Sequence, residues 1–391
     1  MDYNQNIRKL YAIRFFHNLI PAYVIERLFW EQRGMTIRLV VYTEILYAVT
    51  VVLLEIPSGI IADKWGRKKL VIVNAVSGCC ELLILIFATK FWHFAAAIFV
   101  AGVGRAAGSG AENALLYDSL LSNGDENSFE KCLGRLNALE FTAAILAALS
   151  GSFMAGRYGF ELNYWISLAG MFASLCISFM LREPEVRSRT EEQIPIKDYV
   201  VASLSFFRSN YGVCLVLFSA MIAGSAMNFI DEFWQLYVSR LGIPVIYFGF
   251  FSSALSLLRL PGNMLAYRIK KQTSCRKLIS GVVSVFAAGF LYLSLIRDFS
   301  GVIAIFLIYI VSGIIEPAAA GYLHHRIDSS MRATIDSFQS LGLRAAIIIS
   351  GLGFGYFSSG FDIYGGYGFI SLICFVFLLY FLISSKGVIK E

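Results

Sequence analysis

Charge is what this 391-residue chain has least of: Asp, Glu, Lys and Arg together make up 15% of it. A soluble protein carries about 25%, so folding in water is excluded. The hydrophobic residues, 57% of the total, fall in runs near the ~20 residues that cross a bilayer core as helix. The short alternating strands of a membrane barrel are missing, and lipid offers a bare backbone no hydrogen bonds. The fold class is therefore an all-α membrane protein. Catalytic signatures are missing too. No HExxH, GxSxG or Walker sequence occurs, which also removes a self-contained ATP-driven pump. "GVGRAA", from Gly102, fits a dinucleotide pattern formally, but it lies mid-span with no strand before it. Its small residues are better read as allowing close helix packing. The chain is expected not to be an enzyme and to need no cofactor. Cys79, Cys80, Cys132, Cys176, Cys214, Cys275 and Cys374 form no CxxC pair and fall in spans or on the inner side. They read as small core residues, without metal or disulfide. His324 and His325 have no carboxylate arrangement typical of a metal site.

Twelve spans are predicted, at 9–31, 37–58, 70–89, 92–117, 134–156, 161–181, 211–238, 244–267, 278–296, 301–323, 335–358 and 366–384. The first holds Arg14, His17 and Glu26 and is too long and polar for a secretory signal core, so no cleavable leader is expected. Lys and Arg sort by side. With the N-terminus inside, the inner loops hold 21 of them and the outer loops six (Arg33, Arg38, Lys90, Arg157, Arg240 and Arg297). This asymmetry puts both termini in the cytoplasm, in an inner (plasma) membrane. The net charge of +6 reflects that sorting and is no sign of a nucleic-acid partner.

The chain divides in two. "REPEVRSRTEEQIPIKDY", from Arg182 to Tyr199, is its longest polar stretch. It reads as a cytoplasmic linker, 182–208, between six-span halves at 1–181 and 209–391. "EIPSGIIADKWGRKKL" after span 2 recurs weakly as "RLPGNMLAYRIKKQTSCRKL" after span 8, with Pro57 matching Pro261 and Ala62 matching Ala266. Two parallel halves with binding at their interface describe one class of secondary transporter.

"GIIADKWGRKKL" resembles the loop 2–3 signature of the major facilitator superfamily, G-x-x-x-D-[RK]-x-G-R-[RK], with Gly59, Asp63, Lys64, Gly66, Arg67 and Lys68 in every defined place. The architectural resemblance covers the whole chain and is of the bacterial, drug-exporter-like kind. It implies twelve helices in two pseudo-symmetric bundles. It also implies that Asp63 faces the N-terminus of span 11, a positive helix end, while Arg67 reaches Asp118 at the inner end of span 4. Together these residues would hold an inner gate shut. Gly59 would let two helices approach, and Gly66 a tight reversal. A simpler reading, in which the basic cluster only sets orientation, stays open. In span 4 only Arg105 carries over from the family's arginine motif, and span 5, "AAILAALSGSFMAG", lacks the proline-glycine motif of many antiporters.

Ionisable residues within spans mark a pathway. In span 1, Arg14, His17, Asn18 and Pro21 share one helical face; in span 7, Asn228, Asp231, Glu232 and Gln235 repeat that spacing. Span 4 sets Arg105 and Glu112 seven apart, and span 10 carries Glu316 near Ser312. The family resemblance implies that spans 1, 4, 7 and 10 line a central cavity, making Arg14, His17, Asn18, Arg105, Asn228 and Gln235 candidates to touch substrate. Glu112, Asp231, Glu232 and Glu316 are candidates to carry a proton. Other readings stand beside these: Arg14 can snorkel to the surface, Arg105 can pair with Glu112, and Glu26, Arg27 and Glu44 can be interfacial. Asp231 and Glu232 can be structural, His17 a satisfied core residue, and Glu81, Glu140, Arg259 and Arg344 inter-helix partners. Acids outnumber bases in the spans, which favours protons as coupling ion and a proton gradient as energy source. The expected function is export of small amphipathic or cationic molecules by a monomer whose partners are substrate, protons and lipid. Uptake of a small metabolite, with Arg105 holding an anion, is the alternative; a receptor or scaffold is the alternative of another class.

Overall fold

The computed structural model describes residues 4–184, 210–324, 332–386 and 388. All regular structure among them is helical. Helices α1 (Asn4–Asn18) and α2 (Glu26–Gln32) share the first predicted span, parted by a 3-10 turn at Pro21–Ile25. Pro21 causes the break. It has no N–H to donate, and its ring drives Ile20 out of the helical region, to φ −118° and ψ 87°. Helix α3 (Ile37–Trp65) starts on Thr36, whose hydroxyl accepts from Leu39 N at 3.3 Å. It stops at Gly66, where φ is 95°, and α4 (Arg67–Ile86) begins at the next residue. Predicted span 4 is two helices, α5 (Phe91–Gly108) and α6 (Ala111–Ser122), separated by Gly110 at φ 77°. Helices α7 (Phe129–Tyr158) and α8 (Glu161–Phe179) follow.

Beyond the linker come α9 (Tyr211–Arg240), α10 (Phe248–Gln272), α11 (Cys275–Leu295), α12 (Ser300–His324) and α13 (Arg332–Ser384). The last holds two predicted spans, interrupted where Phe361 and Asp362 leave helical geometry. Nine helical stretches among the described residues are long and apolar enough to cross a membrane, and Phe338–Ser384 counts as one of them. The Pro21 break keeps the first predicted span out of that number, and α12, 25 residues long, is counted only over Ser300–Ile315, the part before its undescribed side chains.

The chain forms two compact units, Met1–Thr190 with Pro244–Ser253 and Glu191–Ile243 with Ala254–Glu391. Most of the linker expected at 182–208 lies outside the described residues. In the first unit α5 packs closely on α4 because it has no side chain there: a Cβ on Gly104 would lie 2.7 Å from Ser77 Cβ. The small residues of "GVGRAA" thus serve helix packing. In the second unit Gly262 of α10 meets the α12 backbone at Ile310 and Gly313. Large apolar side chains point outward, among them Leu53, Phe153, Phe172, Ile303 and Ile349, as in a protein solvated by lipid. Trp65 and Trp92 stand exposed at helix ends, where amphipathic rings meet an interface. Cys80 and Cys176 are exposed, so they are not the core residues their apolar surroundings suggest.

Candidate functional site

The break at Gly110 shapes the first unit's polar centre. It ends the helical register that would place Arg105 and Glu112 on one face, leaving Arg105 in the last turn of α5 and Glu112 in the first turn of α6. Glu112 pairs instead with Arg14, Nε to Oε1 at 2.9 Å. The same guanidinium reaches Glu140 on α7 at 2.7 Å through Nη1. Nη2 approaches the Asn113 side-chain oxygen at 3.4 Å, and Asn18 donates to the Arg14 carbonyl at 2.8 Å. Arg14 therefore holds two glutamates, which corrects both the Arg105–Glu112 pair and the snorkelling reading. Arg105 is exposed, with no ion pair among the described residues, and His17 lies within electrostatic reach of Arg14, Arg105 and Glu140.

In the second unit, Arg259 of α10 sets one nitrogen 2.7 and 2.6 Å from the two oxygens of Asp231 on α9. The Tyr309 hydroxyl of α12 donates to the same carboxylate, and the guanidinium lies 4.9 Å from the Tyr309 ring centre. Asn228 and Glu232 are half-buried beside it. Gln235 is buried, at 4% exposure, so it does not line open space as its place in the stripe suggests. Tyr309 escaped notice in the sequence, although it stands three residues before Ser312 and seven before Glu316, on one helical face. The side chain of Glu316 lies outside the described residues.

The α3–α4 turn closes a third cluster, also in the first unit. Arg67 pairs with the buried Asp118 on α6 and donates to the Ala114 carbonyl at 2.8 Å. Glu183, which sequence reasoning left in the linker, caps α4: its two oxygens accept from Arg67 N and Lys68 N, each at 2.8 Å. Gly66 is required by its φ of 95°; a Cβ there would also displace the Glu183 carboxylate, which lies 2.9 Å away. Asn6 of α1 fastens the same end, donating to Ser119 Oγ at 3.1 Å and accepting from Arg182 N at 3.0 Å. Lys64 is exposed. Among the described residues nothing lies within 4 Å of a Cβ placed on Gly59. The side chain of Asp63 lies outside the described residues.

Towards the other end of the first unit, Arg27 of α2 is buried at 3% exposure and pairs with Glu44 at 2.6 Å, its guanidinium 4.7 Å from the Trp30 ring centre. Arg27 and Glu44 are thus paired inside the unit.

Residues 16–350 match the family model described as Major Facilitator Superfamily. The chain belongs to that family. Its members are membrane transporters and not enzymes, and the chain is a multi-pass membrane protein. Relatives include a bicyclomycin resistance protein homolog of Haemophilus influenzae, 24% identical over 49% of this chain and 48% of its own. Multidrug resistance protein MdtG of Salmonella paratyphi C is 26% identical over 61% of this chain and 56% of its own. The match with the first of these spans about half of that relative's length. In three dimensions the chain is similar to nucleoside transporter NupG, with a TM-score of 0.75 over 99% of this chain and 100% of that one. The POT family transporter PepTSo aligns with a TM-score of 0.70 over 98% of each chain. Identity is 13% and 12% respectively, so these likenesses speak for the fold alone.

Proposed function

We propose that the protein exports small amphipathic or cationic organic molecules in exchange for protons, by alternating access across an inner (plasma) membrane with both termini cytoplasmic. The observation that carries the reading is Arg14 bound to two carboxylates at once. One guanidinium balances one of them, so the pair retains a negative charge inside the membrane. A proton or a cationic substrate can supply the balance, and competition between the two is what couples exchange. The names of the resistance-type relatives favour drugs over nutrients. The cluster of Asp63, Lys64, Arg67, Lys68 and Asp118, with Gly59 and Gly66, is the cytoplasmic gate in this reading. The protein works as a monomer without cofactor.

A second reading rests on Arg105. Exposed and unpaired among the described residues, it suits an anion, and uptake of a small anionic metabolite would use it. Inverted vesicles separate the two. A fluorescent lipophilic cation is followed while an inside-acid gradient is imposed and then collapsed. Accumulation that follows the gradient supports export; its absence in wild type, with anion flux lost in Arg105→Gln, supports uptake.

A further inference from the structure

Asp231, Arg259 and Tyr309 come from three helices of the second unit, α9, α10 and α12. Backbone packing brings them together. A Cβ on Gly262, three residues beyond Arg259, would run into the Ile310 carbonyl and lie 3.0 Å from the Gly313 Cα. That close approach of α10 to α12 sets Arg259 beside Tyr309, the chain neighbour of Ile310. Asp231 then takes one guanidinium nitrogen between its two oxygens, at 2.7 and 2.6 Å, and accepts the Tyr309 hydroxyl as well. The guanidinium carbon stands 4.9 Å from the Tyr309 ring centre, within cation–π range. A carboxylate, a phenol hydroxyl and an aromatic face thus converge on one planar cation.

Two features mark that cation as replaceable. Arginine holds a carboxylate most tightly through two parallel N–H groups, and Arg259 reaches Asp231 through a single nitrogen. The two side chains are also 41% exposed. Ionisable groups within a span border water-filled space and not lipid, so a solute can reach the pair. Tyr309, at 3% exposure, is held in place, while Arg259 can swing out on its apolar stem. The first unit offers a contrast. Arg27 also stands over an aromatic ring, Trp30, and pairs with Glu44, but at 3% exposure that arginine is closed to any ligand.

We propose that Asp231 and Tyr309 form a binding site for a planar organic monocation bearing N–H groups, an amidinium or guanidinium, and that Arg259 is its tethered competitor. The assignment rests on the export reading above and gives it a substrate class. An incoming amidinium donates N–H to Asp231 and lays its delocalised plane on Tyr309, which reproduces both contacts that Arg259 makes. A cation without N–H reproduces only the second. Arg259 swings into water when displaced, and its return expels the substrate. Being tied to the site, it competes at a high effective concentration whatever the substrate level. Affinity is thereby kept low enough for release.

Isothermal titration calorimetry of benzamidinium against the purified full-length protein tests this without any gradient. Arg259→Gln removes the competitor and is expected to tighten binding about three- to tenfold. Asp231→Asn is expected to abolish it. Tetraphenylphosphonium, a cation without N–H, is the control, and its gain in Arg259→Gln is expected to be smaller. An equal gain for both cations would mean relief of repulsion alone and overturns the proposal. Unchanged or weaker benzamidinium binding in Arg259→Gln overturns it too, as does full binding in Asp231→Asn. Should Arg259→Gln not fold, Arg259→Met, which keeps an apolar stem over the Tyr309 ring, carries the same expectation. If wild-type vesicles accumulate no dye and yet Arg259→Gln selectively tightens benzamidinium, export fails and the site stands. If vesicles accumulate dye and Arg259→Gln changes no affinity, the site fails and export stands.

Discussion

Arg259 and Asp231 are joined nitrogen to carboxylate, 2.6 and 2.7 Å to the two oxygens, from different helices of the second unit. Each side chain is 41% exposed, and in the water-filled cavity that the export reading assigns here the pair's net stability is about 1 kcal/mol or less. Asp231→Asn is accordingly expected to shift thermal unfolding little while strongly reducing transport. The Asp231→Asn, Arg259→Gln double variant removes the stranded cation and is expected to recover part of the loss. Additive losses in a double-mutant cycle of transport rates would show that the two act separately.

At the α3–α4 turn, Glu183 satisfies two N–H groups that no helix can satisfy for itself. Glu183→Ala is expected to cost about 1 kcal/mol at this helix start. The readout is limited trypsin digestion at Lys68 and Lys69, which should quicken while membrane insertion is unchanged. Asp63→Asn is expected to cut transport and leave insertion intact; wild-type transport in that variant would sink the gate reading.

Asp362 is the described non-glycine residue with positive φ, at 53°, where it breaks α13 and pairs with Arg240 at 2.7 Å. A β-carbon is strained there, by about 1–3 kcal/mol. Glycine should therefore exceed alanine at this position in thermal stability, reversing the usual helix order. If Asp362→Ala proves the more stable, the backbone at this kink is not strained.

How much of this could be read beforehand differs by element. The spans follow from apolar run length, a local property. Arg67 and Asp118 came from a family resemblance, and their meeting needs only two helix ends at one membrane face. The partners of Arg14 were not legible. Periodicity aligns residues within one helix, whereas Glu112 and Glu140 arrive from α6 and α7. Pro21 and Gly110 were in view as a member of a polar face and as part of a continuous span, and both are breaks. Gly110 mattered most, since a lost register undoes every spacing argument across it. Glu183 was hidden because it sits in polar sequence, where nothing distinguishes a capping carboxylate from a solvated one.

The glycines give a paired test of packing within the first unit. Ser77, which a Cβ on Gly104 would meet at 2.7 Å, is short and buried, so it cannot swing away. Gly104→Ala must push α5 from α4 and is expected to destabilise by about 1–3 kcal/mol. Gly134, in α7, has nothing within 4 Å of the same position. Gly134→Ala is expected to stabilise by about 0.5–1 kcal/mol, because alanine loses less backbone entropy in a helix. Thermal unfolding of the two variants in one lipid should therefore move in opposite directions. Equal shifts would mean that α5 and α4 are farther apart than Gly104 and Ser77 indicate.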